Sequence, residues 1–411
     1  MAGKFGLVGK NVQSSLSPII HKQFFDYAYT LYSLEEDAFD ELFEKKEFDG
    51  LNVTAPYKKK VLPFLDFISP EAERIGSVNT VVNRGGLLYG YNTDYYGFLK
   101  TVEKLGLSVK GKKAIILGSG GASLSVAQAL NDSGAKETVV ISRSGENNYE
   151  NISRHFDAEI IVNTTPVGKY PDNFSSPLKL DGFENLQAVI DINYNPLRSS
   201  LLIQAKNRGI KYSGGLTMLV FQARKSAELF AGKEVTEEKA FSVERMLVNK
   251  LRNIVFIGMP SSGKSTVGAA VASKLGLKFF DTDEMIKEQY KRSPSEIITQ
   301  DGEEAFRKLE TEQIKKASLN FSCVISVGGG ATEKKENIDC LSQNGLFVYL
   351  DRPICELDVT DRPLSHNLKA LYEKRRPVYE KTADITLKVH GSAEMTSDEA
   401  LGLLNDFNLS L

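Results

Sequence analysis

The segment Gly258-Met259-Pro260-Ser261-Ser262-Gly263-Lys264-Ser265 has the spacing G-x-x-x-x-G-K-[ST]. It follows the apolar run Ile254–Ile257 and precedes a helical pattern (Val267, Ala270, Val271, Leu275) that stops at Gly276. In that context the backbone N–H groups of the loop turn toward a phosphate, Lys264 supplies charge, and Ser265 offers an oxygen to Mg²⁺. The chemistry predicted is that of a nucleoside triphosphate site. A second glycine loop, Gly118-Ser119-Gly120-Gly121-Ala122, follows the apolar run Ala114–Leu117 of a strand Lys113–Leu117 and opens a helix reaching about Asn131. The pattern G-x-G is weak by itself. The order strand, loop, helix, strand strengthens it, because a helix N-terminus after a glycine turn accepts a pyrophosphate. The next strand, Thr138–Ile141, ends in Ser142-Arg143-Ser144. An acidic residue there would bind a ribose 2′-hydroxyl, whereas Arg143 suits a 2′-phosphate and favours NADP(H).

Several further segments are polar where a surface loop need not be. Ser15-Leu16-Ser17-Pro18 puts two hydroxyls before a helix, with Ser17 placed to act as its N-cap. Asn52-Val53-Thr54-Ala55-Pro56-Tyr57-Lys58 ends a strand, and Gly90-Tyr91-Asn92-Thr93-Asp94 follows Gly76-Ser77-Val78-Asn79-Thr80. Each has a plain alternative: Ser17 and Asp94 as helix caps, Lys58 as a solvated charge beside Lys59 and Lys60.

The elements that must position these groups are those of an α/β protein. The chain has 411 residues, enough for two or three domains. Strand-like runs alternate with helical patterns, which predicts parallel sheets flanked by helices. Three blocks result. Residues 1–106 begin with strands Phe5–Val8, Thr30–Leu34 and Gly50–Val53, and a helix from Pro18 to Tyr27. Residues 107–217 contain the glycine loop and strands Glu159–Val162 and Ala188–Ile192. Residues 249–411 contain the second loop and Cys323–Ser326. Helices over about 218–248 are expected to return to the first block, and the helical Ala240–Leu251 predicts a stiff junction to the third. With 51 Lys+Arg against 53 Asp+Glu, no basic footprint for nucleic acid or an anionic membrane exists. No apolar run reaches the length of a membrane span, and no targeting segment is visible. The three cysteines, Cys323, Cys340 and Cys355, form no C-x-x-C pair and read as free buried thiols in a reducing cytoplasm.

Taken with Asn163-Thr164-Thr165-Pro166-Val167-Gly168 and Gly215-Leu216-Thr217-Met218-Leu219-Val220-Phe221-Gln222, the polar segments and first glycine loop resemble shikimate dehydrogenase from Phe5 to Val248. The resemblance implies an N-terminal α/β substrate domain and a Rossmann-like NADP domain. It makes Ser15 and Ser17 ligands of a substrate carboxylate, with Thr54, Asn79, Asp94 and Gln222 on ring hydroxyls. Lys58 and Asp94 become the catalytic pair, and Gly118, Gly120, Gly121, Ala122, Arg143, Ser144, Gly215 and Met218 hold the cofactor. An ammonium beside a developing alkoxide stabilises it and donates its proton. Asn11 and Thr217 stand where that family usually has proline and glycine, and Ser144-Gly145-Glu146-Asn147 lacks a second basic residue.

The third block resembles shikimate kinase from about Asn253 to Lys388. The resemblance rests on the P-loop, Phe280-Asp281-Thr282-Asp283, Ala305-Phe306-Arg307-Lys308-Leu309-Glu310, Ser326-Val327-Gly328-Gly329-Gly330, Asp361-Arg362-Pro363-Leu364 and Arg375-Arg376-Pro377-Val378-Tyr379. It implies a P-loop fold like that of nucleoside monophosphate kinases. ATP would be bound by Gly258, Ser261, Ser262, Gly263, Lys264, Ser265, Thr266 and Arg362, and Mg²⁺ by Ser265 and Asp281. Asp283 would bind the acceptor hydroxyl and act as its base or orienter, Arg307 and Arg375 would clamp a carboxylate, and Gly329 would admit the substrate ring. The lid is short, with eleven residues between Leu350 and Arg362 and twelve between Arg362 and Arg375.

Together the resemblances imply one chain that reduces 3-dehydroshikimate with NADPH and phosphorylates the shikimate formed. Small molecules are the expected partners, and oligomeric state is unread. Two other readings stand beside it: an NAD-using quinate/shikimate dehydrogenase fused to a kinase, and a non-catalytic metabolite sensor. A sensor should have lost Lys58, Asp94, Lys264, Asp283 or Arg307, and the chain retains all five.

Overall fold

A computed structural model describes residues 3–357 and 368–409 of the chain. The chain divides into two compact units. The first comprises Met1–Lys169, Ser175–Tyr194 and Gln204–Met246; the second comprises Tyr170–Phe174, Asn195–Ile203 and Leu247–Leu411.

The first unit holds two sheets. Strands β1 (Phe5–Gly9), β2 (Tyr29–Ser33), β3 (Gly50–Val53), β4 (Phe67–Ile68), β5 (Thr80–Arg84) and β6 (Leu87–Tyr91) pair in the order β2-β1-β3-β5-β6-β4. This sheet is mixed, not parallel as expected: β3 pairs antiparallel with β5, and β5 with β6. The cause is local. Gly85 and Gly86, with φ of 64° and 89°, make a two-residue turn that only left-handed backbone allows. The first helix, Ser17–Phe24, begins one residue earlier and ends three residues earlier than the pattern predicts. Ser17 is its first helical residue, not its cap, and the Ser17 N–H is taken by Ser15 Oγ at 3.2 Å.

Strands β7 (Lys113–Leu117), β8 (Glu137–Ile141), β9 (Ile160–Asn163), β10 (Ala188–Asp191) and β11 (Lys211–Ser213) form a parallel sheet in the order β11-β10-β9-β7-β8. Strands β9 and β10 are buried throughout, which explains why each is apolar up to its last residue, Asn163 or Asp191. The order reverses between β7 and β9, the place where such sheets open a ligand crevice. The helix Leu216–Ala231 lies against the first sheet's layer. Its Phe230 ring stacks on Phe5 at 5.0 Å, and Gly97 of the helix Thr93–Lys104 approaches so closely that a Cβ would stand 2.5 Å from Met218 O.

The second unit is built on strands β12 (Asn253–Ile257), β13 (Lys278–Asp281), β14 (Cys323–Ser326), β15 (Gly345–Asp351) and β16 (Ile385–Lys388). They run parallel in the order β13-β14-β12-β15-β16, so β12 is central and delivers its loop to the middle of the sheet edge. Within this unit Arg198 donates to Ser342 O (2.6 Å) and Gly345 O (2.9 Å), fixing the start of β15. Cys323 and Cys340 are buried as expected, whereas Cys355 is exposed because it lies in a short 3₁₀ turn beyond β15. Among the described residues no helix is long and apolar enough to cross a membrane.

Candidate functional site

In the first unit, three structural facts bring the polar segments together. Strand β3 ends at Val53, carrying Thr54 and Lys58 past the sheet edge. Asn92 caps the helix Thr93–Lys104 by accepting the Tyr95 N–H at 3.2 Å, so Asp94 is not the cap and sits in the first turn, where the helix dipole favours a carboxylate. Asn79, just before β5, donates to Asp94 Oδ1 at 2.9 Å and accepts the Thr93 N–H at 2.7 Å. Asp94 Oδ2 lies 2.5 Å from Lys58 Nζ, with both side chains largely buried. Such a pair is held in one geometry by its surroundings, unlike an exposed ion pair.

A cavity of about 240 Å³ is lined by Ser15, Ser17, Thr54, Lys58, Asn79, Asp94 and Gln222, together with Ala122, Gly215 and Met218. Every predicted substrate ligand of this unit is therefore on one wall system. Ser15 Oγ and Ser17 Oγ are 3.0 Å apart, two donors able to share one carboxylate. Gln222 is steadied by Leu219 O (3.0 Å) and faces Thr93 Oγ1 at 3.4 Å. Asn11, Lys169 and Tyr194 also line the cavity, although the sequence reading nominated none of them as ligands. Thr217, the residue found in place of glycine, is buried and donates to Glu244 at 2.6 Å.

The adjoining cofactor loop fits a dinucleotide. Gly118 has φ of 100°, and a Cβ there would stand 2.9 Å from Thr165 Cγ2, so β7 and β9 leave room for backbone alone at the crevice. Gly121 opens the helix Gly121–Asp132, and a Cβ on it would meet Lys58 Cδ at 3.2 Å. The glycine loop and Lys58 are thus in contact distance of one another. A Cβ on Gly215 would overlap Ile192 O, which excludes any other residue there. Arg143 and Ser144 follow β8 and are exposed, outside the substrate cavity.

In the second unit the P-loop connects β12 to the helix Lys264–Leu275. Gly258, Ser261 and Gly263 have φ of 146°, 63° and 94°. A serine in left-handed backbone is strained, and such strain clusters where function over-determines the loop. Ser262 Oγ is buried with no partner among the described residues, a polar group left for a phosphate. Lys264 Nζ is buried and donates to Gly258 O (3.0 Å) and Met259 O (2.7 Å). These features fit a triphosphate.

Two cavities flank this loop. One, of about 310 Å³, is lined by Ser261, Gly263, Lys264, Ser265 and Thr266. The other, of about 410 Å³, is lined by Arg307, Gly330, Arg375 and Glu310. They share Ser265, Asp281, Asp283, Gly328 and Gly329, the wall across which a phosphoryl group would pass. Asp281 Oδ1 caps the helix Thr282–Tyr290 by accepting the N–H groups of Asp283 (3.0 Å) and Glu284 (3.3 Å). Its second oxygen and Ser265 fit Mg²⁺ supported by the nucleotide's own phosphates. Among the described residues no group of three His, Cys, Asp or Glu side chains could hold a metal alone.

Each guanidinium at the larger cavity is braced. Arg307 pairs with Glu310 (2.8 Å) and Glu303 (3.1 Å), and Arg375 with Glu333 (2.6 Å). Glu310 is a site residue that the sequence reading missed. Burial raises its carboxyl above the ordinary range, opposed in part by Arg307 and reinforced by Asp283. Three glycines are required here by three neighbours. A Cβ on Gly328 would stand 2.6 Å from Glu310 Oε1, one on Gly329 2.7 Å from Pro260 Cδ, and one on Gly330 would overlap Arg307. Arg362 lies outside the described residues.

Comparison with known proteins gives the same division. The family model described as shikimate dehydrogenase substrate binding domain matches residues 7–81, and that described as shikimate kinase matches residues 260–404. The chain is 39% identical over 261 residues to a shikimate dehydrogenase (NADP(+)) of Clostridium perfringens, covering 58% of this chain and 96% of that one. Among solved structures, shikimate dehydrogenase 1 from Peptoclostridium difficile aligns with a TM-score of 0.57 and 36% identity, over 60% of this chain and 97% of that one. Shikimate 5-dehydrogenase of Thermus thermophilus, in complex with NADP(H) and shikimate, aligns at 0.55 and 32%, over 60% and 99%. A chorismate mutase/shikimate 5-dehydrogenase fusion from Clostridium acetobutylicum aligns at 0.56 and 32%, over 60% and 97%.

Proposed function

The chain belongs to the shikimate dehydrogenase family and carries a shikimate kinase domain at its C-terminal end, and from this we propose how its two sites divide two consecutive reactions. It is a bifunctional shikimate-pathway enzyme. The first site reduces 3-dehydroshikimate to shikimate, and the second phosphorylates the hydroxyl so created.

In the first reaction NADPH supplies the hydride. Ser15 and Ser17 bind the carboxylate, and Thr54, Asn79 and Gln222 orient the ring hydroxyls. Lys58 donates a proton to the oxygen that gains charge, and Asp94 aims Lys58 at it. Positioned proton donation of this kind contributes roughly 10²–10⁴-fold. In the second reaction ATP supplies the phosphoryl group, with Mg²⁺ offsetting its charge. Arg307 and Arg375 hold the substrate carboxylate, Asp283 orients the acceptor hydroxyl, and Lys264 neutralises phosphate oxygens. Positioning and charge neutralisation account for most of such catalysis.

The observation that carries this reading is the shared wall containing Lys58, Asp94, the substrate ligands and the cofactor-side residues Ala122, Gly215 and Met218 in one cavity. A metabolite sensor has no use for a buried, braced ammonium at that place. Arg143, exposed and with no ion pair among the described residues, supports preference for the 2′-phosphate of NADPH over NADH. The three free cysteines support a reducing, cytoplasmic setting. A coupled assay starting from 3-dehydroshikimate tests the proposal: shikimate 3-phosphate should accumulate only with NADPH, ATP and Mg²⁺ together. Failure of the purified chain to use either cofactor refutes that half.

A further inference from the structure

Arg352, which follows β15 directly, lies against the phosphate loop although no motif nominates it. Its Nη2 is 3.9 Å from the position a Cβ would take on Gly263. The sheet register explains this placement. Ile257 pairs with Tyr349, and the Cβ position of Gly258 is 2.7 Å from Leu350 O, so the P-loop and the chain beyond β15 leave the sheet edge side by side. Pro353 restricts the backbone of Arg352 to extended conformations, which limits where the side chain can be directed.

The guanidinium is unusually unprovided for. Its Nε is buried and has no hydrogen-bond partner, and no carboxylate pairs with the group among the described residues. The neighbouring Asp351 does not serve, because its Oδ1 accepts from Tyr349 OH (3.1 Å) and Tyr372 OH (3.4 Å). A buried donor without an acceptor is costly, and a planar guanidinium suits a phosphate better than most side chains do. Lys264, meanwhile, is turned toward carbonyls of its own loop.

We propose that Arg352 binds the phosphate chain of the nucleoside triphosphate, contributing a positive charge at the P-loop. The proposal rests on the ATP-dependent kinase reading of this unit.

The test uses the full chain with ADP as the titrant. Arg352→Gln should weaken ADP binding by roughly tenfold or more and raise KM for ATP similarly, as expected for loss of a charge-assisted hydrogen bond. KM for shikimate and the NADPH-dependent rate should stay unchanged, which also reports folding. Arg352→Lys, which keeps the charge, should bind ADP more tightly than the Gln variant. ADP affinity in Arg352→Gln within about twofold of the unaltered chain overturns the proposal and leaves the kinase reading standing. Equal weakening in the Gln and Lys variants also overturns charge recognition as the cause. No ADP binding by the unaltered chain overturns both.

Discussion

Lys58 Nζ stands 2.5 Å from Asp94 Oδ2, while the other oxygen of Asp94 takes a hydrogen bond from Asn79 at 2.9 Å. The carboxylate is thus held at both oxygens, by a lysine beyond β3 and by an asparagine just before β5, and the lysine is aimed by a group that cannot rotate freely. The Lys58 stem is also the neighbour that Gly121 leaves room for, so Lys58 and the glycine loop share one packing constraint. A side chain at 121 would push the Lys58 stem away from the glycine loop.

The two chemistries should be separable by single substitutions in one chain. Lys58→Ala should reduce NADPH-dependent turnover by roughly 10²–10⁴-fold and leave ATP-dependent phosphorylation of added shikimate intact. Lys264→Ala should do the reverse. Steady-state assays of both reactions on each variant check this; joint loss of both activities in either variant would contradict it.

Gly330→Ala should damage acceptor binding in the kinase unit specifically. The added methyl overlaps the Arg307 guanidinium, which cannot swing aside without losing Glu310 and Glu303. KM for shikimate should rise by about tenfold, the scale of a weakened charge-assisted contact, with KM for ATP nearly unaltered. Glu310→Ala should move KM in the same direction by freeing Arg307. An unchanged KM for shikimate in both variants would separate Arg307 from substrate binding.

Much of this was legible before the structure, for reasons that differ by residue. The P-loop, Asp283 and Lys58 sit in ordered local patterns, and strands such as Lys113–Leu117 and Gly50–Val53 are short, mainly apolar runs with turn residues near their ends. Glu310 was not legible, because three residues after Arg307 on a charged helix it reads as one more surface pair, and only the tertiary packing buries it completely. The β5–β6 hairpin carried its signal in Gly85-Gly86, but the alternating α/β pattern argued for parallel strands. Ser17 reads as a cap because its type and place allow it, but it is the first helical residue and its own N–H donates to Ser15 Oγ. Arg352 has no sequence signature, since its role depends on β15 ending beside the loop that leaves β12.

The three thiols should differ sharply in reactivity. Burial pushes the Cys323 thiol up to about 12 and the Cys340 thiol up to about 11, and Cys323 Sγ lies 3.2 Å from Asn253 Oδ1. Neither supplies appreciable thiolate near neutral pH, whereas Cys355 is exposed. Iodoacetamide at pH 7.5 should label one cysteine per native chain, and Cys355→Ser should abolish that labelling. Rapid modification of Cys323 or Cys340 without denaturant would show that β14 or its neighbouring helix opens readily.

His21 should make the stability of the first unit depend on pH. It is fully buried on the helix Ser17–Phe24, with Nδ1 2.5 Å from Tyr27 OH and its ring stacked on Tyr29 at 4.1 Å. Burial depresses its pKa from 6.5 to about 3, so the folded unit keeps it neutral where the unfolded chain binds a proton. Stability is then full above pH 6.5 and is lost as the pH falls from 6.5 toward 3. One such group contributes at most about 1.4 kcal/mol per pH unit across that window. Other carboxylates titrate in the same range, so the measurement is a difference. Urea unfolding followed by loss of dehydrogenase activity, compared between the unaltered chain and His21→Gln from pH 7 to pH 4.5, should show a shallower decline in the variant. Parallel declines would mean that His21 becomes protonated within the folded unit, and that its packing against Tyr27 and Tyr29 opens to admit the charge.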